Sequence, residues 1–143
     1  MSVPKSFKYE KSAGFLIFKR NGQRKYLLLK TKGRFDVPKG QLNQGEGELQ
    51  GALRELKEET GITDIMIVLG FKKNVHYFYR WGDTLIKKEV VYFLGEASTY
   101  EVTLSSEHDL FSWMTKEEIM TQVKYKNLKQ VVATAESVLL SKS

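Results

Sequence analysis

Gly40-Gln41-Leu42-Asn43-Gln44-Gly45-Glu46 opens a stretch that runs on through Gly47-Glu48-Leu49-Gln50-Gly51-Ala52-Leu53 to Arg54-Glu55-Leu56-Lys57-Glu58-Glu59-Thr60-Gly61-Ile62. If its second half is helical, Glu55, Glu58 and Glu59 stand at i, i+3 and i+4 and share a face. Like charges so placed repel by ~0.2–0.5 kcal/mol per pair in an isolated helix, and a cation between them would relieve it. Leu49, Ala52, Leu53 and Leu56 also recur at helical spacing and predict a core-facing stripe. The segment therefore reads as a buried helix from about Gly47 to Thr60 with a carboxylate ridge on its flank. Gly61 is placed to end it as a left-handed cap. A glutamate-rich face alone is usually just solvated, so the wider spacing has to decide.

That spacing is specific. A Gly, a Glu after five residues, and Arg-Glu-x-x-Glu-Glu-x-Gly after seven more, with two required apolar positions, arise by chance in on the order of 10⁻⁸ of chains. The stretch resembles the Nudix box, G-x5-E-x7-R-E-U-x-E-E-x-G-U with U apolar, at every fixed position. The resemblance implies a Nudix fold, an α/β/α sandwich with a mixed β-sheet in which the box forms loop, helix and loop. It also implies hydrolysis of a nucleoside diphosphate linked to another moiety. Glu55, Glu58 and Glu59 become expected metal ligands, with Glu55 the best general-base candidate and Gly40 adding a backbone carbonyl. Glutamate oxygens suit Mg²⁺ or Mn²⁺, which bind substrate phosphates directly. Arg54 can reach Glu58 one turn on and hold its carboxylate in place, although the same spacing also describes an ordinary ion pair. Glu46 is open between a helix N-terminal capping acid and a further ligand.

The whole chain is compatible with this. Its 143 residues suit one domain, 1–143, with the polar segment 1–10 expected as a loose arm or a short edge strand. No apolar run approaches the ~20 residues of a membrane span, and the first ten residues lack the apolar centre of a secretory signal. The absence of cysteine excludes disulfides and thiol catalysis, and fits a cytoplasmic protein. Net charge is +6, yet the segment from Glu46 to Asp64 carries −4, which leaves +10 for the remainder. An acidic centre in a basic chain is the electrostatics expected for a polyanion bridged to carboxylates by metal. Without a long Lys/Arg run or a basic amphipathic helix, neither a membrane partner nor a stable nucleic-acid complex is expected.

Elsewhere the pattern predicts strands at Lys11–Lys19 and Tyr26–Thr31 around an Asn21-Gly22 turn. An irregular segment follows from Phe35 to Gly45, broken by Pro38, Gly40 and Gly45. Extended segments follow at Ile65–Val68, Val75–Trp81 and Leu85–Leu94, with a turn at Trp81-Gly82-Asp83. Thr115–Val123 and Asn127–Leu140 carry helical periodicity, the latter with Leu128, Val131, Val132, Ala135, Val138 and Leu139 on one broad face.

Four further stretches resemble one Nudix subfamily, the asymmetric diadenosine tetraphosphate hydrolases. These are Ala13-Gly14-Phe15-Leu16-Ile17-Phe18 with Tyr26–Leu29, and Val37-Pro38-Lys39-Gly40. Gly70–Lys73 with Tyr77 and Lys88–Leu94 form the third, and Ser106-Glu107-His108, Trp113 and Tyr125–Lys129 the fourth. The likeness implies a nucleotide polyphosphate substrate, with diadenosine tetraphosphate cut to ATP and AMP. Lys39 and Lys88 would supply point charges to the phosphates, and Tyr77 and Tyr125, ahead of Tyr79, flat faces for adenine. Glu107 would complete the metal site or assist the base, while His108 is read only as holding a loop. Gln41 stands where animal members have His, and Phe35 where a Trp is common. Tyr77-Phe78-Tyr79-Arg80-Trp81 is more aromatic than the animal pattern. Substrate choice therefore stays open to RNA 5′-triphosphate ends, ADP-ribose or inositol pyrophosphates, and a non-catalytic nucleotide-binding module is the further alternative.

Overall fold

The strands at the centre of the molecule are apolar on both sides, and this dictates a sheet covered on two faces. In the computed structural model, which describes residues 3–142, Ala13, Phe15 and Ile17 of β1 (Ser6–Asn21) point into one core, and Leu16 and Phe18 into another. β2 (Gln23–Thr31) divides in the same way, with Leu27 and Leu29 against Tyr26 and Leu28. The first core is closed by Ala52 and Leu56 of α1 (Glu48–Thr60). Ile119 of α2 (Lys116–Gln122) and the Leu128, Val131, Val132, Ala135 and Leu139 face of α3 (Lys126–Ser141) close the second. The result is the expected α/β/α sandwich.

The sheet is mixed. β1 runs parallel to β7 (Thr84–Ala97) from Ser6 opposite Thr84 to Phe18 opposite Glu96. It runs antiparallel to β2 and to the short β4 (Lys39–Gln41). β7 also carries β5 (Ile65–Ile67) and β6 (Lys73–Trp81), both antiparallel. β3 (Arg34–Asp36) and β8 (Leu110–Met114) pair with β2. No described helix is long and apolar enough to cross a membrane.

Several expectations are narrowed or corrected. Of the two readings of residues 1–10, a loose arm or a short edge strand, the strand is the one seen from Ser6 on, because Ser6–Glu10 continue β1 and pair with β7. The Phe35–Gly45 segment contains two short strands, since β2 and β1 offer edges to which Arg34–Asp36 and Lys39–Gln41 can hydrogen-bond. Leu49 is exposed rather than packed, because the core that covers Ala52 and Leu56 does not extend to the first turn of α1. Gly61 meets its expectation. It takes φ +74°, and its N–H bonds the Lys57 carbonyl at 2.9 Å, ending the helix at low steric cost.

A polar cluster joins the N-terminal half of β1 to its neighbours. Glu89 of β7 accepts from the Tyr9 hydroxyl and the Asn74 amide, with Lys11 Nζ at 3.9 Å and His76 Nε2 at 3.6 Å. Those hydrogen bonds, outweighing burial, hold its carboxyl below the usual range. A carboxyl with a depressed folded pKa stabilises the fold above its ordinary value of 4.5, and that contribution fades as pH falls through the folded value. Glu89→Gln is expected to cost about 1–3 kcal/mol at neutral pH. The deficit should shrink below 4.5. Urea unfolding of both proteins across that range checks it.

Candidate functional site

Local spacing puts the glutamates on α1, but a single guanidinium arranges them. Arg54 Nε donates to Glu46 Oε2 at 2.7 Å and Nη2 to Glu46 Oε1 at 3.0 Å, a bidentate pair. Nη1 reaches Glu55 Oε1 at 2.8 Å and Glu58 Oε2 at 2.9 Å, and Nη2 also meets the Gln41 carbonyl at 3.0 Å. Glu46 accepts the Asn43 N–H as well, at 2.9 Å. The Arg54 hydrogen bonds, then that N–H, keep its carboxyl below the usual range. Glu46 thus serves Arg54 and the loop, while Gly47 takes the helix N-cap. The expected Arg54–Glu58 contact is present as one part of a wider network.

Gly40 faces this network from β4. A Cβ on Gly40 would overlap the Glu55 carboxylate, so only glycine leaves that group its place. Behind Glu55 lies Glu59, 5% exposed. Burial, then the hydrogen bond and charge of Glu55, push the Glu59 carboxyl up to about 9, against the opposing pull of Lys39. Two carboxyls this close cannot both ionise cheaply in a poorly solvated site. His108 Nε2 lies 3.1 Å from Glu59 Oε1, and its Nδ1 lies 3.1 Å from Ser105 Oγ. His108 therefore bridges the 105–108 loop to the helix, a larger part than the sequence assigned it.

Two cavities flank this arrangement. The smaller, about 440 Å³, is lined by Gly40, Glu55, Glu58, Glu59 and Glu107, all five of the expected metal-site residues. The larger, about 670 Å³, takes Tyr77 and Tyr125 with Val75, Tyr92 and His108 in its wall. Lys39 and Glu59 line both. Lys39 Nζ is 3.4 Å from Asp36 Oδ2. Burial works against its charge, but Asp36, Tyr77 and Glu59 outweigh that and raise its pKa.

Lys88 is not brought to either cavity. It is buried, with Nζ 3.6 Å from Glu10 Oε1, and burial followed by the charge of Lys39 lowers its pKa. Tyr79 also stays outside the cavities, its hydroxyl donating to Glu10 Oε1 at 2.6 Å. Sequence reasoning missed Asp36, Ser105 and Arg34, whose guanidinium carbon sits 4.2 Å from the Tyr125 ring centroid. Only the Asp36–Lys39 spacing carried a signal for any of them.

The carboxylate cavity matches a hard divalent cation by donor chemistry, and Gly40 leaves open the space a side chain would fill. Among the described residues, however, no three acidic or histidine groups already converge as a closed metal shell. Glu55 and Glu58 are instead turned to Arg54.

Comparison with known proteins agrees with the fold and the box. The chain matches the NUDIX domain over residues 8–135, and it belongs to the Nudix family. Members of this family are pyrophosphohydrolases that generally require divalent metal ions. The chain is 32% identical to the asymmetrical bis(5′-nucleosyl)-tetraphosphatase of Mus musculus, over 92% of this chain and 96% of that one. It is 36% identical to the mRNA-decapping protein g5R of African swine fever virus, over 62% of this chain and 37% of the viral protein. Among solved structures, a C. elegans Ap4A hydrolase binary complex superposes with a TM-score of 0.83 at 28% identity, covering 92% of this chain and 98% of the other.

Two outcomes follow from this geometry. Gly40→Ala is expected to displace Glu55 and lower hydrolytic turnover by about 100-fold, since a misplacement near 1 Å can cost that much. Steady-state assay of the folded variant tests it. Because the folded pKa of Glu59 is raised, metal-free stability should fall as pH rises from 4.5 towards about 9. Glu59→Gln should flatten that slope and stabilise the metal-free protein by about 0.5–2 kcal/mol at alkaline pH, read by denaturant unfolding in chelator.

Proposed function

We propose that this protein hydrolyses diadenosine tetraphosphate to ATP and AMP in the presence of Mg²⁺ or Mn²⁺. The observation that carries the reading is the shared wall of the two cavities. An aromatic cavity that fits a nucleoside meets a carboxylate cavity that fits a phosphate-bound cation, and Lys39 and Glu59 belong to both. The 32–33% identity to the asymmetrical tetraphosphatases, over 92% of this chain, supports it.

In this reading Glu55, Glu58, Glu59 and Glu107, with the Gly40 carbonyl, would hold a divalent ion, which when bound would neutralise the diphosphate and make a bound water more nucleophilic. Arg54 acts through the glutamates, fixing Glu55 and Glu58 by its fork. Glu55 accepts the proton of the attacking water, whose oxygen bonds to phosphorus as the bridging P–O bond to the departing nucleotide breaks. Lys39 faces the phosphates from the shared wall. Tyr77 and Tyr125 stack the adenine, and Arg34, over the Tyr125 ring, lines the same cavity. Lys88 tunes this wall through charge from its buried position. A cytoplasmic location belongs to the same proposal, on the absence of cysteine.

The runner-up keeps the chemistry and changes the substrate to an RNA 5′-triphosphate end, a reading to which the viral mRNA-decapping relative lends support only in that its name too points to the 5′ end of an RNA. One panel separates the readings: diadenosine tetraphosphate, 5′-triphosphorylated RNA, ADP-ribose and an inositol pyrophosphate, each with Mg²⁺ and with Mn²⁺. The expected result is preferred release of ATP and AMP from the first, abolished by Glu58→Gln. Tyr77→Ala or Tyr125→Ala should raise KM by roughly 5- to 150-fold, the equivalent of 1–3 kcal/mol of stacking. Diadenosine tetraphosphate left intact while another substrate is cleaved would overturn the substrate assignment.

A further inference from the structure

Strand β6 carries more aromatic surface than the cavity uses. Tyr77, Tyr79 and Trp81 alternate along it, so strand periodicity sets all three on one side, about 13 Å from first to last. Tyr77 belongs to the wall of the larger cavity, and its ring centroid is 6.4 Å from that of Tyr79. Tyr79 is not a loosely tethered side chain, because Glu10 Oε1 accepts its hydroxyl at 2.6 Å. Trp81, at the end of the strand, is 78% exposed, and Tyr79 is 37% exposed. Contiguous exposed apolar surface at the rim of a polar cleft is a mark of binding surfaces, unlike apolar side chains exposed singly.

The charge on the same side suits a polyanion. The pairing of β6 with β7 sets Lys88 beside Tyr77, and the pairing of β7 with β1 sets Lys8 in line with Ile86 and Tyr79. Glu10 is the acid among them, and it is already engaged by Tyr79, Lys8 and Lys88. The aromatic row is thus continuous with the nucleoside cavity at one end and flanked by the exposed Lys8, with Lys88 buried beside it.

We propose that Tyr79 and Trp81 form a second stacking platform that takes the distal nucleobase of a dinucleoside polyphosphate. It rests on the reading that a first nucleoside sits between Tyr77 and Tyr125. Stacking is sequence-tolerant, since every base has a π-face, so the platform would favour a second base of any kind. A mononucleoside polyphosphate, seated at Tyr77, has no base to place there. The platform therefore makes two-ended substrates bind better than one-ended ones of equal charge.

The chain has two tryptophans, Trp81 and Trp113, so Trp113→Phe leaves Trp81 as the sole indole reporter. Methylene-bridged, non-hydrolysable diadenosine tetraphosphate is titrated with Mg²⁺ against the matching adenosine tetraphosphate, by fluorescence and by calorimetry. The expected result is saturable quenching of Trp81 by the two-ended analogue alone. Trp81→Ala in the otherwise unchanged chain should raise the Kd ratio of two-ended over one-ended analogue at least 5-fold, and Trp81→Phe should restore it. A ratio that moves less than 2-fold, or calorimetric binding of the two-ended analogue with no quenching, overturns the platform. Tighter quenching by a 5′-triphosphorylated RNA dinucleotide assigns the surface to RNA and also overturns it. A blank calorimetric trace for both analogues is a different failure. It removes the nucleoside cavity reading itself, and the platform with it.

Discussion

The guanidinium of Arg54 is the constraint on which the site depends. Its planar fork meets Glu46 with two nitrogens, Glu55 and Glu58 with a third contact point, and the Gln41 carbonyl besides. Without it, a ridge of like charges would splay into solvent and the 41–46 loop would have no polar anchor on the helix. With it, loop and helix become one piece, and Gly40 can sit against the Glu55 carboxylate. A lysine could neutralise one glutamate but could not order three, since it is a point charge without a fork. The smaller cavity takes Gly40, Gln41, Glu55, Glu58 and Glu59 from that piece, and the larger shares Glu59 alone with it.

What could be read from the sequence was what depends on near neighbours. The helix, its left-handed end at Gly61, the glutamate ridge and the Arg54–Glu58 contact all follow from spacings of three or four residues. So does the broad apolar face of α3. Pairings across the sheet do not follow. β3, β4 and β8 are not announced by their local pattern, and they pair where β1 and β2 offer backbone edges to them. The polar pattern of Ser6–Glu10 leaves arm and edge strand both open, and β7 running beside them decides for strand. Leu49 shows the opposite error, where helical periodicity continues past the core that would have covered it.

The candidate site divides along the same line. Gly40, Glu55, Glu58, Glu59 and Glu107 could be named from the box and a family likeness, and they line one cavity. Tyr77 and Tyr125 could be named in that way and line the other. Lys88 could not be judged, because its neighbour Glu10 lies 78 residues away along the chain and on another strand. His108 looked like a loop residue for a similar reason. Its contact with Glu59 crosses from the segment before β8 to the end of α1.

Glu59 ties these observations together. A carboxyl this buried costs free energy when ionised, and the structure supplies it with a neighbouring acid rather than a full counter-charge. Lys39 opposes that cost only in part, because Asp36 already claims its ammonium. Between Lys39 and Glu59 the shared wall is thus short of positive charge on one side and well supplied on the other. On the proposed reading a divalent ion carrying phosphate would correct both at once, since the acids would hold the metal and the lysine would face the phosphate. A bare nucleoside would relieve neither, and a free metal would leave Lys39 facing Asp36 as before. On the proposed reading, it is the metal–phosphate pair that the wall recognises, while the tyrosines on one side decide which polyphosphate delivers it.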